Sequence, residues 1–151
     1  MIVASPLALL AAVAVPNQVS EVTATAAMAG VKCVISVNKK GADRSRFAGN
    51  QSWVSSSDGM SFQHRSMPIT VTFPKDNDGI ARICEVRATL PSQADQAALK
   101  SYFERSLISK PLEQGDSTIW MFDANEGARG LQFFPDKTSD HPKVRLIGAA
   151  F

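Results

Sequence analysis

The sequence predicts an α+β fold in which an antiparallel sheet of about five strands carries two helices on one face. Stretches of helical and of strand periodicity alternate along the chain in the order α-β-β-α-β-β-β. Strands that follow each other directly usually pair as antiparallel neighbours, and two helices need one sheet face to cover. The 151 residues, 44% of them hydrophobic and 20% charged, suit one globular domain, which we place at 17–151.

Residues 1–14 are typical of a cleavable signal peptide. Positions 2–14 carry no charge, and a run of this length is too short to span a bilayer as a helix. Ala12-Val13-Ala14 favours cleavage after residue 14, whereas Ala27-Met28-Ala29 would extend the leader to residue 29. Because no Lys or Arg precedes the apolar run, a buried N-terminal helix of a cytosolic protein is the alternative. We expect a periplasmic or secreted protein, without a stable membrane span once the leader is removed.

The first amphipathic helix is predicted over 17–38. Its apolar positions recur at steps of three and four, and therefore share one helix face: Val19, Val22, Ala26, Ala29, Cys33 and Val37. Lys39 and Lys40 suit the C-terminal end of a helix, and Gly41 can close it. The β-branched run 34–37 is also compatible with a strand, so the sequence allows either helix or strand for the last turns.

The segment 42–66 has the weakest secondary-structure signal, although 60–64 alternates well enough for a short strand. Its aromatic residues are of the type that proteins bury, so the segment is expected to pack over the domain. Such connecting segments often carry binding residues. We therefore predict a partner surface here, and its members are Phe47, Trp53, Phe62 and His64.

A β-hairpin follows, with strands at 69–73 and 83–90 around a turn at 74–79. Alternation places Cys84 on the apolar face of the return strand, and Cys33 lies on the apolar face of the first helix. Both sulfur atoms are thus expected in one core, as a disulfide requires. Neither cysteine belongs to a C-x-x-C pair or a Cys/His cluster, which favours one structural bridge in an oxidising compartment.

The second helix is predicted from the N-cap Ser92 to about Ser109. Asp95 stands three residues after Ser92, in a variant of the capping box, and Pro111 prevents continuation. Its apolar face consists of Ala94, Ala98, Leu99, Tyr102, Phe103 and Leu107. Three further strands are predicted at 118–123, 129–134 and 144–151. The sequence shows no internal repeat.

We find no pattern that predicts a catalytic, cofactor or metal site. His64 and His141 both lie in polar turns, and a catalytic base would need a nucleophile and an orienting carboxylate beside it. The leading interpretation is therefore a non-enzymatic exported domain that binds an unknown protein or envelope ligand. A small hydrolase assembled from scattered residues, with either histidine as general base, is one alternative.

A cytosolic protein that binds nucleic acid through the basic loop 39–47 is another alternative. Four basic residues precede Phe47 in this loop: Lys39, Lys40, Arg44 and Arg46. Basic side chains interleaved with aromatic rings can hold phosphates and stack on bases. The net charge of +2 is too small to favour nucleic acid as a partner, and we expect none.

Overall fold

The computed structural model describes residues 19–107, 109–124 and 127–151. Over these ranges it confirms the α+β class, with two α-helices and one antiparallel sheet. The helices are α1 (Glu21–Ser36) and α2 (Gln93–Ser106), and a short 3-10 turn lies at Arg44–Arg46. The strands are β1 (Trp53–Ser55), β2 (Ser61–His64), β3 (Ile69–Thr72), β4 (Ile83–Thr89), β5 (Leu112–Gln114), β6 (Ser117–Ala124), β7 (Gly127–Phe134) and β8 (Lys143–Ala150).

The sheet has eight strands, in the order β1-β2-β3-β4-β8-β7-β6-β5, where the sequence predicted about five. The five predicted strands are all present, as β3, β4, β6, β7 and β8. The additional strands β1, β2 and β5 have three, four and three residues. The alternation at 60–64 had indicated β2. The strands β1 and β5 are too short to show periodicity, and pairing with a neighbour makes them strands.

The chain passes twice through the same order of elements, a helix followed by a four-strand meander. α1 leads into β1–β4 and α2 leads into β5–β8, and the two meanders meet at the antiparallel β4–β8 pair. The strand order is therefore symmetric about this pair. The sequence gives no sign of the repetition, because the strands of the first meander have 3, 4, 4 and 7 residues and those of the second 3, 8, 8 and 8.

Both helices cover the same face of the sheet, as predicted. A Cβ atom built on Gly30 of α1 would lie 2.9 Å from Leu146 of β8 and 2.9 Å from Phe103 of α2. Phe103 in turn packs on Trp120 of β6, with 5.7 Å between the ring centroids. No helix of the described residues lies on the opposite face of the sheet.

The helix α1 approaches the centre of the sheet closely enough to touch its backbone. A Cβ atom on Gly148 of β8 would lie only 2.9 Å from the Cα of Val34, so any larger residue would force the helix away. Gly148 is paired in register with Cys84 of β4. This close approach brings Cys84 within reach of α1.

The predicted disulfide between Cys33 and Cys84 is confirmed. The two Cα atoms are 5.4 Å apart, and both residues are fully buried. The bridge joins residues 51 positions apart and ties α1 to the centre of the sheet.

The start of α1 differs from the prediction, since the helix begins at Glu21. The side chain of Ser20 caps it by accepting a hydrogen bond from the Thr23 amide at 3.2 Å. Val19, predicted on the buried face, therefore precedes the helix and is 50% exposed. At the other end Val37 is extended, so the β-branched run 34–37 is helical up to Ser36. The predicted leader 1–14 lies outside the described residues.

One carboxylate, Asp95, joins the N-terminal ends of the two helices. Its side chain accepts hydrogen bonds from the Thr23 hydroxyl at 2.8 Å and from the Ser92 hydroxyl at 2.7 Å. It also accepts one from the Ser20 amide at 3.3 Å. Burial alone would raise the pKa of Asp95, but the hydrogen bonds from Ser92, Ser20 and Thr23 outweigh it and hold the pKa below its ordinary value of 3.8.

Asp95 should therefore make part of the stability depend on pH. Because its pKa is lower in the folded state, its contribution is complete well above pH 3.8 and is lost as the pH falls through the lower folded value. We expect Asp95→Ala to lower the free energy of unfolding by about 1–2 kcal/mol at pH 7 and by much less at pH 2. Urea unfolding at both pH values measures this difference. The variant Asp140→Ala, at an exposed position, provides the control. An equal loss at both pH values for Asp95→Ala would contradict a stabilising role of the ionised Asp95 carboxylate.

Candidate functional site on the helix-free face of the sheet

The four residues of the predicted partner surface lie together, but three of them are core residues. Phe47 and Phe62 are 1% exposed and Trp53 is 7% exposed. Trp53 stands opposite His64 in the β1–β2 pair, and its ring packs 5.3 Å from that of Phe47 and 5.0 Å from that of His64. The rings of Phe47, Trp53 and Phe62 are therefore not accessible to a partner. Strand pairing places Trp53 and Phe62 on the face of the sheet that the helices cover. Whether the surface above them binds a partner stays a prediction.

Each of the two histidine rings has a polar neighbour. Nδ1 of His64 accepts a hydrogen bond from the Ser66 amide at 3.2 Å, and the Ser66 hydroxyl lies at 3.5 Å from the same atom. Nδ1 of His141 is 3.1 Å from the carbonyl oxygen of Pro91. Within the described ranges no carboxylate hydrogen-bonds to either ring, and no group of three His, Cys, Asp or Glu side chains could hold a metal ion.

The basic loop 39–47 presents cations without exposed rings. Lys39 and Lys40 are exposed at the end of α1, whereas Arg44 turns inward and donates a hydrogen bond to the carbonyl oxygen of Gly59 at 2.8 Å. Phe47, the aromatic member of the pattern, is buried. The interleaved pattern suggested that bases could stack on this loop, but the loop exposes no aromatic ring for them to stack on.

The helix-free face carries two rows of side chains across its second half. Residues paired in an antiparallel ladder project to the same face of the sheet. One row runs Ile83–Ala149–Gly130–Met121 from β4 to β6. The next runs Ile147–Gln132–Ile119–Leu112 from β8 to the edge strand β5.

The apolar side chains of these rows and Phe151 form an apolar patch around the single polar residue Gln132. We define the patch as Ile83, Leu112, Ile119, Met121, Ile147, Ala149 and Phe151. Leu112 is 56% exposed and Phe151 is 54% exposed, and the other members are partly exposed. The Phe151 ring lies over Gly130 beside Met121, since a Cβ on Gly130 would be 3.1 Å from the ring and 2.9 Å from the Met121 sulfur. No element among the described residues covers the patch.

A basic cluster, defined as Arg87, Lys143 and Arg145, adjoins the patch at one end of the β4–β8 pair. Arg87 stands directly opposite Arg145, and Lys143 lies opposite Thr89 in the same ladder. The three cations line a shallow cavity of about 460 Å³ together with Gln63 and Thr70 of the neighbouring strands.

The alternation of the last strand is the signal in the sequence for this face. Alternation in the last strand places Val144, Leu146 and Gly148 on one side, and these are buried. Arg145, Ile147 and Ala149 then share the other side. Ile147 and Ala149 are apolar, whereas a solvated face would normally carry polar residues at these positions.

Comparisons with protein-family models, with curated protein sequences and with solved structures found no match for this chain. In the part of the chain that the structure describes, neither helix combines the length and the hydropathy that a membrane crossing requires.

Proposed function

We propose that this chain is a non-enzymatic exported domain that binds a protein partner through the helix-free face of its sheet. The observation that carries the proposal is the apolar patch, whose members lie on β4, β8, β6 and β5 and at Phe151. In an antiparallel sheet with one solvated face, that face is normally polar, and contiguous apolar surface marks an interaction site. An interface of this kind buries apolar side chains and arginine together, as the patch and the basic cluster provide.

The shape of the face favours a macromolecule over a small ligand. Eight strands at a spacing of about 4.8 Å give a face roughly 34 Å wide, which can supply the roughly 800 Å² that one partner contributes to a standard interface. Small ligands are usually held in enclosed pockets, whereas the cavity here is shallow and open.

Export is supported by two independent features, the apolar segment 2–14 and the disulfide. We place the cleavage after Ala14 and not after Ala29. Ala26 and Ala29 are buried in α1, so loss of the first 29 residues would remove half of a helix that packs on the sheet. The proposed location is the periplasm or the extracellular medium.

Site-specific photo-crosslinking in the native host tests the proposed interface. A photoreactive amino acid is placed at Ile119 or Ile147 of the helix-free face, and at Ile35 of α1 as a matched control that is 38% exposed. We expect both sheet positions to crosslink to one and the same protein, with little product from the control position. Ile83→Glu should abolish the crosslink from Ile119, because it places a charge in the patch.

Three outcomes would overturn the proposal. They are equal crosslinking from Ile35, no product from either sheet position, and a product with the mass of two copies of this chain. The last would identify a second copy as the occupant of the face.

A further inference from the structure

We infer that the basic cluster is a carboxylate-binding site, at which the partner presents acidic side chains. The identity of the partner rests on the proposed function, but the site can be tested on the isolated protein. Its central feature is the register of the β4–β8 pair, which sets Arg87 directly opposite Arg145. Like charges in this position destabilise a sheet, and an anion bound between them would remove the repulsion.

The carboxylates described on this face do not neutralise the cluster. The side chain of Glu85 accepts a hydrogen bond from Nε of Arg87. That leaves the outer nitrogens of the Arg87 guanidinium at the surface, on a side chain that is 68% exposed. Arg145 and Lys143 have no ion pair with any described residue. Of the three cations, only Arg87 is therefore paired with a described carboxylate.

Arg145 is held in place before any ligand arrives. Its guanidinium carbon lies 4.3 Å from the centre of the Phe134 ring, a stacking that restricts the side chain. Its Nε is enclosed and has no hydrogen-bond partner among the described residues. A guanidinium fixed in position without an acceptor is preorganised for an anion, since little conformational entropy is lost on binding.

The surroundings favour a carboxylate over a phosphate group. Phosphate sites commonly use free backbone N–H groups at a helix N-terminus or in a nest, and here the strand amides belong to the β4–β8 ladder. The donors that remain are side chains, and a planar guanidinium can form a bidentate pair with a carboxylate as well as with a phosphate. The cluster also continues into the apolar patch at Ile147, as expected where a protein surface with Asp or Glu docks.

The test titrates the disulfide-bonded protein with a hexaglutamate peptide at low salt, followed by NMR amide shifts and by calorimetry. We expect shifts centred on Arg87, Lys143 and Arg145, and binding that weakens as salt is added. Arg87→Gln and Arg145→Gln should each weaken binding about tenfold or more, because each removes a hydrogen bond between charged groups. Lys40→Gln removes an exposed cation elsewhere and should leave binding unchanged.

Hexaglutamine, inorganic phosphate and vesicles of anionic lipid are titrated in parallel. The inference is overturned if hexaglutamate does not bind, if the two arginine variants bind as the wild type does, or if phosphate or vesicles bind in its place. Arg87 is mostly exposed, so its variant remains informative if Arg145→Gln disturbs folding, which a thermal melt reveals. If hexaglutamate does not bind but Ile119 and Ile147 still crosslink to a partner, the proposed function stands without the anion site. If hexaglutamate binds but neither position crosslinks, only the anion site stands.

Discussion

Replacing Trp53 with Ala is expected to lower the free energy of unfolding by about 3 kcal/mol. The indole is 7% exposed and packs edge-on against Phe47, so its loss leaves a cavity beneath the edge strand β1. Urea unfolding followed by circular dichroism measures the change, since the variant has lost one of the fluorescent residues. The same experiment separates a core residue from a binding residue.

The control lies one residue further along the same strand. Val54 projects to the opposite face and is 45% exposed, so Val54→Ala should change the free energy of unfolding by no more than about 0.5 kcal/mol. If Trp53→Ala were as mild as this control, Trp53 would belong to a surface, as its sequence context first suggested.

Removal of the disulfide is expected to have the largest effect on stability. Bridging residues 51 positions apart stabilises the fold by about 4 kcal/mol in the chain-entropy model, a large share of the stability of a small domain. The double variant Cys33→Ala/Cys84→Ala should lose at least this amount, because both side chains are also fully buried. Chemical unfolding of the wild type and the double variant measures the loss.

Reductant provides the internal control for this prediction. Under reducing conditions the wild type should fall to about the stability of the double variant, while the double variant itself should not change. A wild type whose unfolding curve is the same with and without reductant would contradict a stabilising bridge.

The helices and the long strands could be predicted from the sequence because each has a clear local signal. The step of three and four residues placed Cys33 on the inner face of α1, and alternation placed Cys84 on the inner face of β4. The two phases together predicted the bridge that the structure confirms. Ser92 and Pro111 likewise marked the limits of α2 to within a few residues.

The burial of individual rings in the aromatic segment could not be predicted in detail, because it depends on tertiary pairing. Phe47 and Trp53 stand among Ser, Gly, Asn and Arg, which locally resembles a binding loop. The three-residue strand β1 pairs with β2 and turns Trp53 toward the helices, and no local pattern indicates such a short pairing. Propensity was overridden by contacts between neighbouring strands.

The candidate site could be predicted only in part, for a related reason. Alternation alone places Arg87 on the outer face of β4 and Arg145 on the side of β8 opposite Leu146. The two arginines come together only because β8 lies beside β4 in the sheet, although α2 and β5–β7 separate these strands in the sequence. A single sequence contains no signal for that neighbour relation.

The proposal of a partner in the periplasm or the extracellular medium depends on export. The most direct test of export is the intact mass of the protein purified from its native host. The mass is recorded after alkylation, once without and once with prior reduction. We expect a chain that begins at Val15 and takes up two alkyl groups only after reduction. A full-length chain whose cysteines are both alkylated without reductant would place the protein in a reducing compartment and contradict the account.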